Sequence, residues 1–290
     1  MGSHAMGEDL IKNLPDLQNT RDKRRITLNR VGVSDIDFPI YIRTKNGHSV
    51  PVTTKVNLFT SLEYFRRGSH LSRYIEILTR WANKELDSLE LKTLLIEIKD
   101  TVKAKDSYIE INFKYSLPKT TPVTKLTTYT VYDCAFIGHV NKQNAYKFFL
   151  QVKVPVTTLC PCSKAIARSK GAHNQRALVI VSIEYDDLTQ SIWIEDIIPL
   201  IEVEGSCQIW NLLKRPDEKY VTEYAYDHPK FVEDVTRDTA QALQNLPTIR
   251  WFKVKVISYE SIHTHQAVSI VERVRKGQTW RKVVESIRYV

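Results

Sequence analysis

Cys160-Pro161-Cys162, followed by Gly171-Ala172-His173-Asn174-Gln175-Arg176, sets two thiols and an imidazole within fourteen residues. Thiolate is the form of cysteine that binds Zn²⁺, and imidazole suits the same borderline-soft ion. This spacing lets a loop fold around one metal. The loop lies between two strand-like runs, 146–156 and 177–185, and a site held by rigid strands gains precision. More chemistry follows downstream. Lys214-Arg215-Pro216-Asp217-Glu218-Lys219 packs opposite charges around a proline and reads as an exposed or cleft-lining loop. Phe231-Val232-Glu233-Asp234 falls in a helical run, and Tyr259-Glu260-Ser261-Ile262-His263-Thr264-His265 ends a strand. Singly, each has an ordinary explanation: Glu233 four residues before Arg237 is most often a surface ion pair. Jointly they match the inventory of a metal hydrolase, with three N, S or O ligands, an open position for water and a group to shuttle protons. A purine substrate would add a carboxylate able to accept two N–H groups.

The elements that must position these groups follow one order twice. Runs 38–44 and 50–58 flank Lys45-Asn46-Gly47, a hairpin signal. Apolar spacing over 71–81 predicts a helix, and Ser88 is the expected cap of a second helix over 89–102. Strands follow at 108–116 and 127–140. The second half repeats the order with strands 146–156 and 177–185, helices 192–203 and from His228-Pro229 to about 243, and strands 249–258 and 267–274. Antiparallel pairs with helices grouped between them predict an α+β fold, and four strands per half leave edges that an oligomer would cover.

Bulk properties fit a soluble globular chain: 290 residues, 42% hydrophobic and 26% charged. No apolar run is long enough to span a membrane. Residues 1–6 read as a vector remnant, and with no signal peptide after them a cytoplasmic location is expected. Four cysteines in this length make no disulfide framework, and Cys134 and Cys207 read as buried free thiols. The formal charge of +9 suits anionic partners such as polyphosphate nucleotides without naming one.

The motifs Leu159-Cys-Pro-Cys-Ser-Lys164, Gly-Ala-His-Asn-Gln-Arg176, Leu-Lys-Arg-Pro-Asp-Glu218, Phe-Val-Glu-Asp234 and Glu-Ser-Ile-His263 closely resemble the prokaryotic type IB GTP cyclohydrolase family. Asn29-Arg-Val-Gly32 and Gly68-Ser-His-Leu-Ser-Arg73 extend the resemblance over nearly the whole chain. The resemblance implies a tunnelling fold (T-fold) of two tandem ββααββ modules per subunit, with the barrel completed by oligomerisation. The modules would span 31–140 and 141–290, after a tag remnant and N-terminal arm over 1–30. It implies a homotetramer, a dimer of dimers with active sites at subunit interfaces. The implied reaction converts GTP to 7,8-dihydroneopterin triphosphate and formate, the first step of tetrahydrofolate synthesis and, in many bacteria, of queuosine.

Carried over by position, Cys160, His173 and Glu218 match the family's metal ligands, with Zn²⁺ expected first and Mn²⁺ or Fe²⁺ compatible with the donor set. Glu233 matches the purine anchor. Cys162, Glu260 and His263 match residues of proton transfer or of the metal's surroundings. Arg176, Lys164, Lys214 and Arg215 are the nearby cations for the triphosphate. One departure is visible, a segment 165–170 about a residue longer than the usual pattern. A nitrile reductase of the same superfamily would have no need of the Cys/His/Glu set. A nucleic-acid-binding protein would show a recognisable module, and none is present. Neither nucleic acid nor membrane is an expected partner.

Overall fold

Gly47 takes a positive φ of 77°, a conformation open to glycine without a Cβ penalty. Its turn joins β1 (Leu28–Arg43) to β2 (Ser49–Leu62) as antiparallel neighbours. The computed structural model describes residues 15–82, 84–185, 192–277 and 279–283. The remnant read at 1–6 lies outside the described residues. After the first hairpin come α1 (Ser72–Trp81), β3 (Glu85–Leu86), α2 (Ser88–Thr101), β4 (Ser107–Thr120) and β5 (Thr127–Val140). The chain continues through β6 (Tyr146–Leu159), α3 (Pro161–Ile166), β7 (Asn174–Tyr185), α4 (Ile194–Glu202) and β8 (Cys207–Gln208). It then runs through α5 (Arg215–Asp227), α6 (Val232–Gln244), β9 (Ile249–Ser258), β10 (Ala267–Lys276) and β11 (Thr279–Lys282).

The sheet corrects the expected fold class. The expectation is two tandem ββααββ modules of a tunnelling fold, four strands to each half. Instead the strands form one eleven-stranded sheet in the order β11-β10-β9-β7-β6-β5-β4-β2-β1-β3, with β8 added beside β6. It is mixed, because β1 and β3 run parallel. The seam is β5–β6, paired from Asp133↔Lys153 to Val140↔Tyr146. The Asn141 N–H donates to the Ala145 carbonyl at 3.1 Å across the intervening turn, and a turn this tight makes the flanking strands antiparallel neighbours.

Alternation along the strands sends one face into the core. Ile109, Ile111, Phe113, Val152, Val154, Val156, Val179, Val181, Val254 and Val256 are buried together with Leu91, Leu94, Leu95 and Ile98 of α2 and Val235 and Leu243 of α6. Each fully buried leucine contributes about 1.5–3 kcal/mol relative to exposure. A smaller apolar group, Ala135, Ile137, Phe149 and Trp251, forms a second cluster. Among the described residues no helix is long and apolar enough to cross a membrane.

Three local readings change. The cap of α2 is Asp87, whose Oδ1 accepts from Leu89 N at 2.8 Å and Glu90 N at 2.9 Å, and Ser88 is already helical. The charged run around Pro216 is the first turn of α5, where proline is tolerated because its missing N–H is not needed. The Cys160–His173 segment carries the short helix α3.

Candidate active site

Three buried stripes end in polar residues at one end of the sheet. In β6 the inward valines 152, 154 and 156 are followed by Thr158; in β7 Val181, Val179 and Ala177 are followed by Gln175; in β9 Val254 and Val256 are followed by Ser258. Register sets Thr158 opposite Gln175 and Ser258 opposite Ala177. Thr158 and Ser258 are buried, with their hydroxyls 3.3 Å apart.

The Cys/His loop folds onto this end. Cys160 leaves β6 as the N-cap of α3, with Pro161 in the first turn. Its N–H donates to the His173 carbonyl at 3.1 Å. Ser163 closes the loop a second time: its hydroxyl donates to the Cys160 carbonyl at 3.1 Å and accepts the His173 N–H at 3.2 Å. The Ser163 N–H points at Cys160 Sγ, 3.4 Å away, so the thiol caps the first turn of α3. His173 Nδ1 lies 3.0 Å from Gln175 Oε1, and Gln175 Nε2 donates to Glu260 Oε1 at 3.4 Å. Cys160, His173 and Glu260 are therefore joined in one half-buried cluster. Cys162 is exposed beside it on α3. His263 is exposed in the turn after β9, stacked on His265 with ring centroids 5.0 Å apart.

The other expected residues are distributed around this centre. Lys164 reaches the end of α5, where its ammonium donates to the Tyr226 carbonyl and lies 4.2 Å from the Tyr226 ring centroid. The link into α6 is tied to β6 by the Lys230 N–H, which donates to the Leu159 carbonyl at 3.1 Å. Glu233 stands exposed in the first turn of α6. The sequence makes Arg237 its natural partner, but Arg237 bonds Asp234 at 3.3 Å.

Glu218 does not join Cys160 and His173. Among the described residues no three His, Cys, Asp or Glu side chains converge as a metal-binding group. The C-terminal end of α5 meets α3 through Lys164 and Tyr226, and Glu218 lies eight residues back along the same helix, about 12 Å along the axis. Its first turn is held elsewhere by Asp217, which is buried and accepts from Val123 N at 2.9 Å, Thr124 N at 2.9 Å, Thr124 Oγ1 at 2.5 Å and Lys214 N at 3.0 Å. Those donors hold the Asp217 carboxyl well below its ordinary pKa of 3.8, against desolvation that raises it. Lys214, Arg215 and Glu218 are exposed around this anchor. Of the expected ligands, Cys160 and His173 are the two that the loop's own hydrogen bonds tie to the same end of the sheet.

Arg176 lines an open groove of ≈ 660 Å³ with Pro155, Gln175, Leu178, Tyr259 and Ser261, so the groove borders the cluster at Gln175. A second groove of ≈ 680 Å³, lined by Asp37, Lys55, Lys114 and Cys134 among others, includes none of the Cys/His cluster. Burial pushes the Cys134 and Cys207 thiols up, which suits inert core positions.

Sequence reasoning passed over Gln175, Ser163, Thr158 and Ser258. The available signal was phase: each of the three strand residues is polar at a position where the alternation calls for an apolar one.

A family model described as type I GTP cyclohydrolase folE2 matches residues 14–269. The chain is 43% identical over 256 residues to a protein named GTP cyclohydrolase FolE2 from Thermosipho africanus, covering 88% of this chain and 96% of that one. It is 41% identical over 264 residues to the FolE2 protein of Geobacter metallireducens, covering 91% and 98%. Among solved structures it resembles the uricase of Arthrobacter globiformis, with TM-score 0.52, 7% identity and coverage of 86% of this chain and 94% of that chain. It also resembles the urate oxidase of Bacillus subtilis, with TM-score 0.51 and 7% identity over 86% and 99%. At such identity the likeness is one of fold. These findings correct the family named from the motifs: type IB with a tunnelling fold gives way to the folE2 family with a urate oxidase-like fold.

Proposed function

The chain belongs to the type I GTP cyclohydrolase folE2 family, and from that membership we propose that it opens the guanine imidazole ring of GTP with water. The products would be 7,8-dihydroneopterin triphosphate and formate, the first step toward tetrahydrofolate and, in many bacteria, queuosine. The observation that carries the reading is the cluster of Cys160, His173 and Glu260 at the polar end of β6, β7 and β9.

A divalent ion, Zn²⁺ first and Mn²⁺ or Fe²⁺ as compatible alternatives, would be held by Cys160 and His173, with Glu218 the third ligand the motifs imply, and would supply Lewis acidity toward water. The chain's own groups do the rest. Water adds at C8 of the purine, and Glu260 with His263 takes and returns protons as the C8–N bond breaks. A second water then releases the one-carbon unit as formate, with Cys162 within the same rim, and the freed amine closes onto the opened, rearranged ribose with loss of one water, so that one water is consumed overall. Glu233, exposed and without a partner among the described residues, accepts the guanine N1–H and 2-amino hydrogens. Arg176, Lys214 and Arg215 are exposed cations suited to the triphosphate; Lys164 would have to leave Tyr226 to serve it. A cytoplasmic homotetramer with sites between subunits belongs to the same proposal and is read by light scattering.

The test is incubation of metal-loaded protein with GTP, following formate and the fluorescence of the oxidised pterin. Both products, lost with a chelator and restored by metal, are expected. Absence of turnover with all three metals would sink the reading.

A further inference from the structure

Gln175 belongs to neither the ligand set nor the proton-transfer set, yet it touches both. Its Oε1 lies 3.0 Å from His173 Nδ1 and accepts from Ser261 Oγ at 3.4 Å. Its Nε2 donates to Glu260 Oε1 at 3.4 Å and to Thr158 Oγ1 and Ser258 Oγ, each at 3.3 Å. An amide can be turned either way, and here the surroundings decide. An ionised carboxylate only accepts, so the end facing Glu260 must be the NH₂. The oxygen is then the end facing His173, and an amide oxygen only accepts, so His173 Nδ1 must carry the hydrogen. A neutral imidazole with Nδ1–H has a bare lone pair on Nε2.

We propose that Gln175 is the positioning residue of the site: oriented by Glu260 and by the Thr158 and Ser258 hydroxyls, it fixes His173 as the Nδ1–H tautomer and keeps Nε2 free as a ligand or proton acceptor. The assignment rests on the functional reading above only for what Nε2 does, not for which tautomer is present. Partners of this kind orient a ligating histidine and raise its basicity, and their loss typically costs 10–100-fold in metal affinity. The linkage also makes Glu260 and His173 one unit.

The experiment is long-range ¹H–¹⁵N NMR on the full chain labelled with ¹⁵N-histidine, chelator-treated and held at pH 8, where imidazole is neutral. His173→Ala assigns the signals. Expected are Nδ1–H for His173 in the unaltered protein and loss of that single tautomer in Gln175→Leu. Zn²⁺ affinity should fall about 10–100-fold in Gln175→Leu. An unchanged tautomer and affinity in Gln175→Leu would overturn the proposal. Should that variant not fold, Glu260→Gln serves: its amide no longer dictates the Gln175 orientation, so a second tautomer should appear, and a single retained one overturns the proposal. GTP turnover by the unaltered protein is scored separately, and its absence would remove the functional reading while leaving the tautomer result standing.

Discussion

Replacing Ser163 with alanine should loosen the Cys/His loop without unfolding the sheet. The hydroxyl makes two bonds, one to the Cys160 carbonyl at 3.1 Å and one from the His173 N–H at 3.2 Å. The backbone bond from Cys160 N to His173 O survives the change. Ser163 is half-buried, so each lost bond costs about 0.5–1.5 kcal/mol net, or about 1–3 kcal/mol together. A loop at the end of a sheet can open locally, so the loss falls on local order more than on global stability. If metal binding needs Cys160 and His173 side by side, the same energy reappears as a drop in affinity of roughly 5- to 150-fold. The assay is competition with a chromophoric chelator for Zn²⁺, paired with thermal unfolding of the metal-free proteins. An affinity within twofold of the unaltered protein would refute the argument. A metal-free midpoint lower by more than about 10 °C would refute its second half, by showing that Ser163 supports the fold itself.

Three further outcomes are expected. Lys119→Met leaves buried Glu202 without the ammonium 2.6 Å away and should cost about 3–5 kcal/mol in urea unfolding; Lys119→Met with Glu202→Leu should recover most of it, and a double variant as weak as the sum of the singles would contradict this. Asp217 has its folded pKa below the ordinary 3.8, so its stabilisation is full above that value and fades as pH falls toward the folded pKa; the Tm difference between the unaltered protein and Asp217→Asn should shrink below about pH 4, and a constant gap would count against it. Glu233→Ala should lower GTP turnover at least about 100-fold with metal content unchanged, whereas Arg237→Ala, which loses only the Asp234 pair, should turn over normally.

Much of the local structure was legible because its causes are local. Asn46-Gly47 fixes a turn, and the spacing of Tyr74, Ile77, Leu78 and Trp81 fixes a helix face. Asp87 rather than Ser88 is the cap because it is the last extended residue, its Oδ1 accepting from both Leu89 N and Glu90 N, while Ser88 is already in the helix. What stayed hidden was partnership between distant segments. Alternation says which face of β5 and β6 is buried but not that they pair with each other, so one sheet was read as two modules. In the site, the Cys160–His173 proximity was legible from spacing. The separation of Glu218 was not, because it depends on the direction in which α5 runs from its anchor at Asp217. Gln175 was missed because a glutamine in a strand reads as an exposed residue unless its phase against Ala177 and Val179 is followed.

The polar row at the end of β6, β7 and β9 also guards against misassembly. β9 pairs with β7 across the long excursion 186–248, so nothing in a connecting turn dictates where it docks. A slip of one residue would turn Lys253, Lys255 and Ile257 into the core and is forbidden outright. A slip of two keeps the valines inward and is the dangerous error. In one direction it would carry Ser258 opposite Val179, away from its hydroxyl partner, and drag Glu260 toward Ala177, forcing a carboxylate into the apolar stripe. In the other it would strand Gln175 without Glu260. The residues suited to chemistry thus act as a gauge of alignment: only the register that assembles the site satisfies them all.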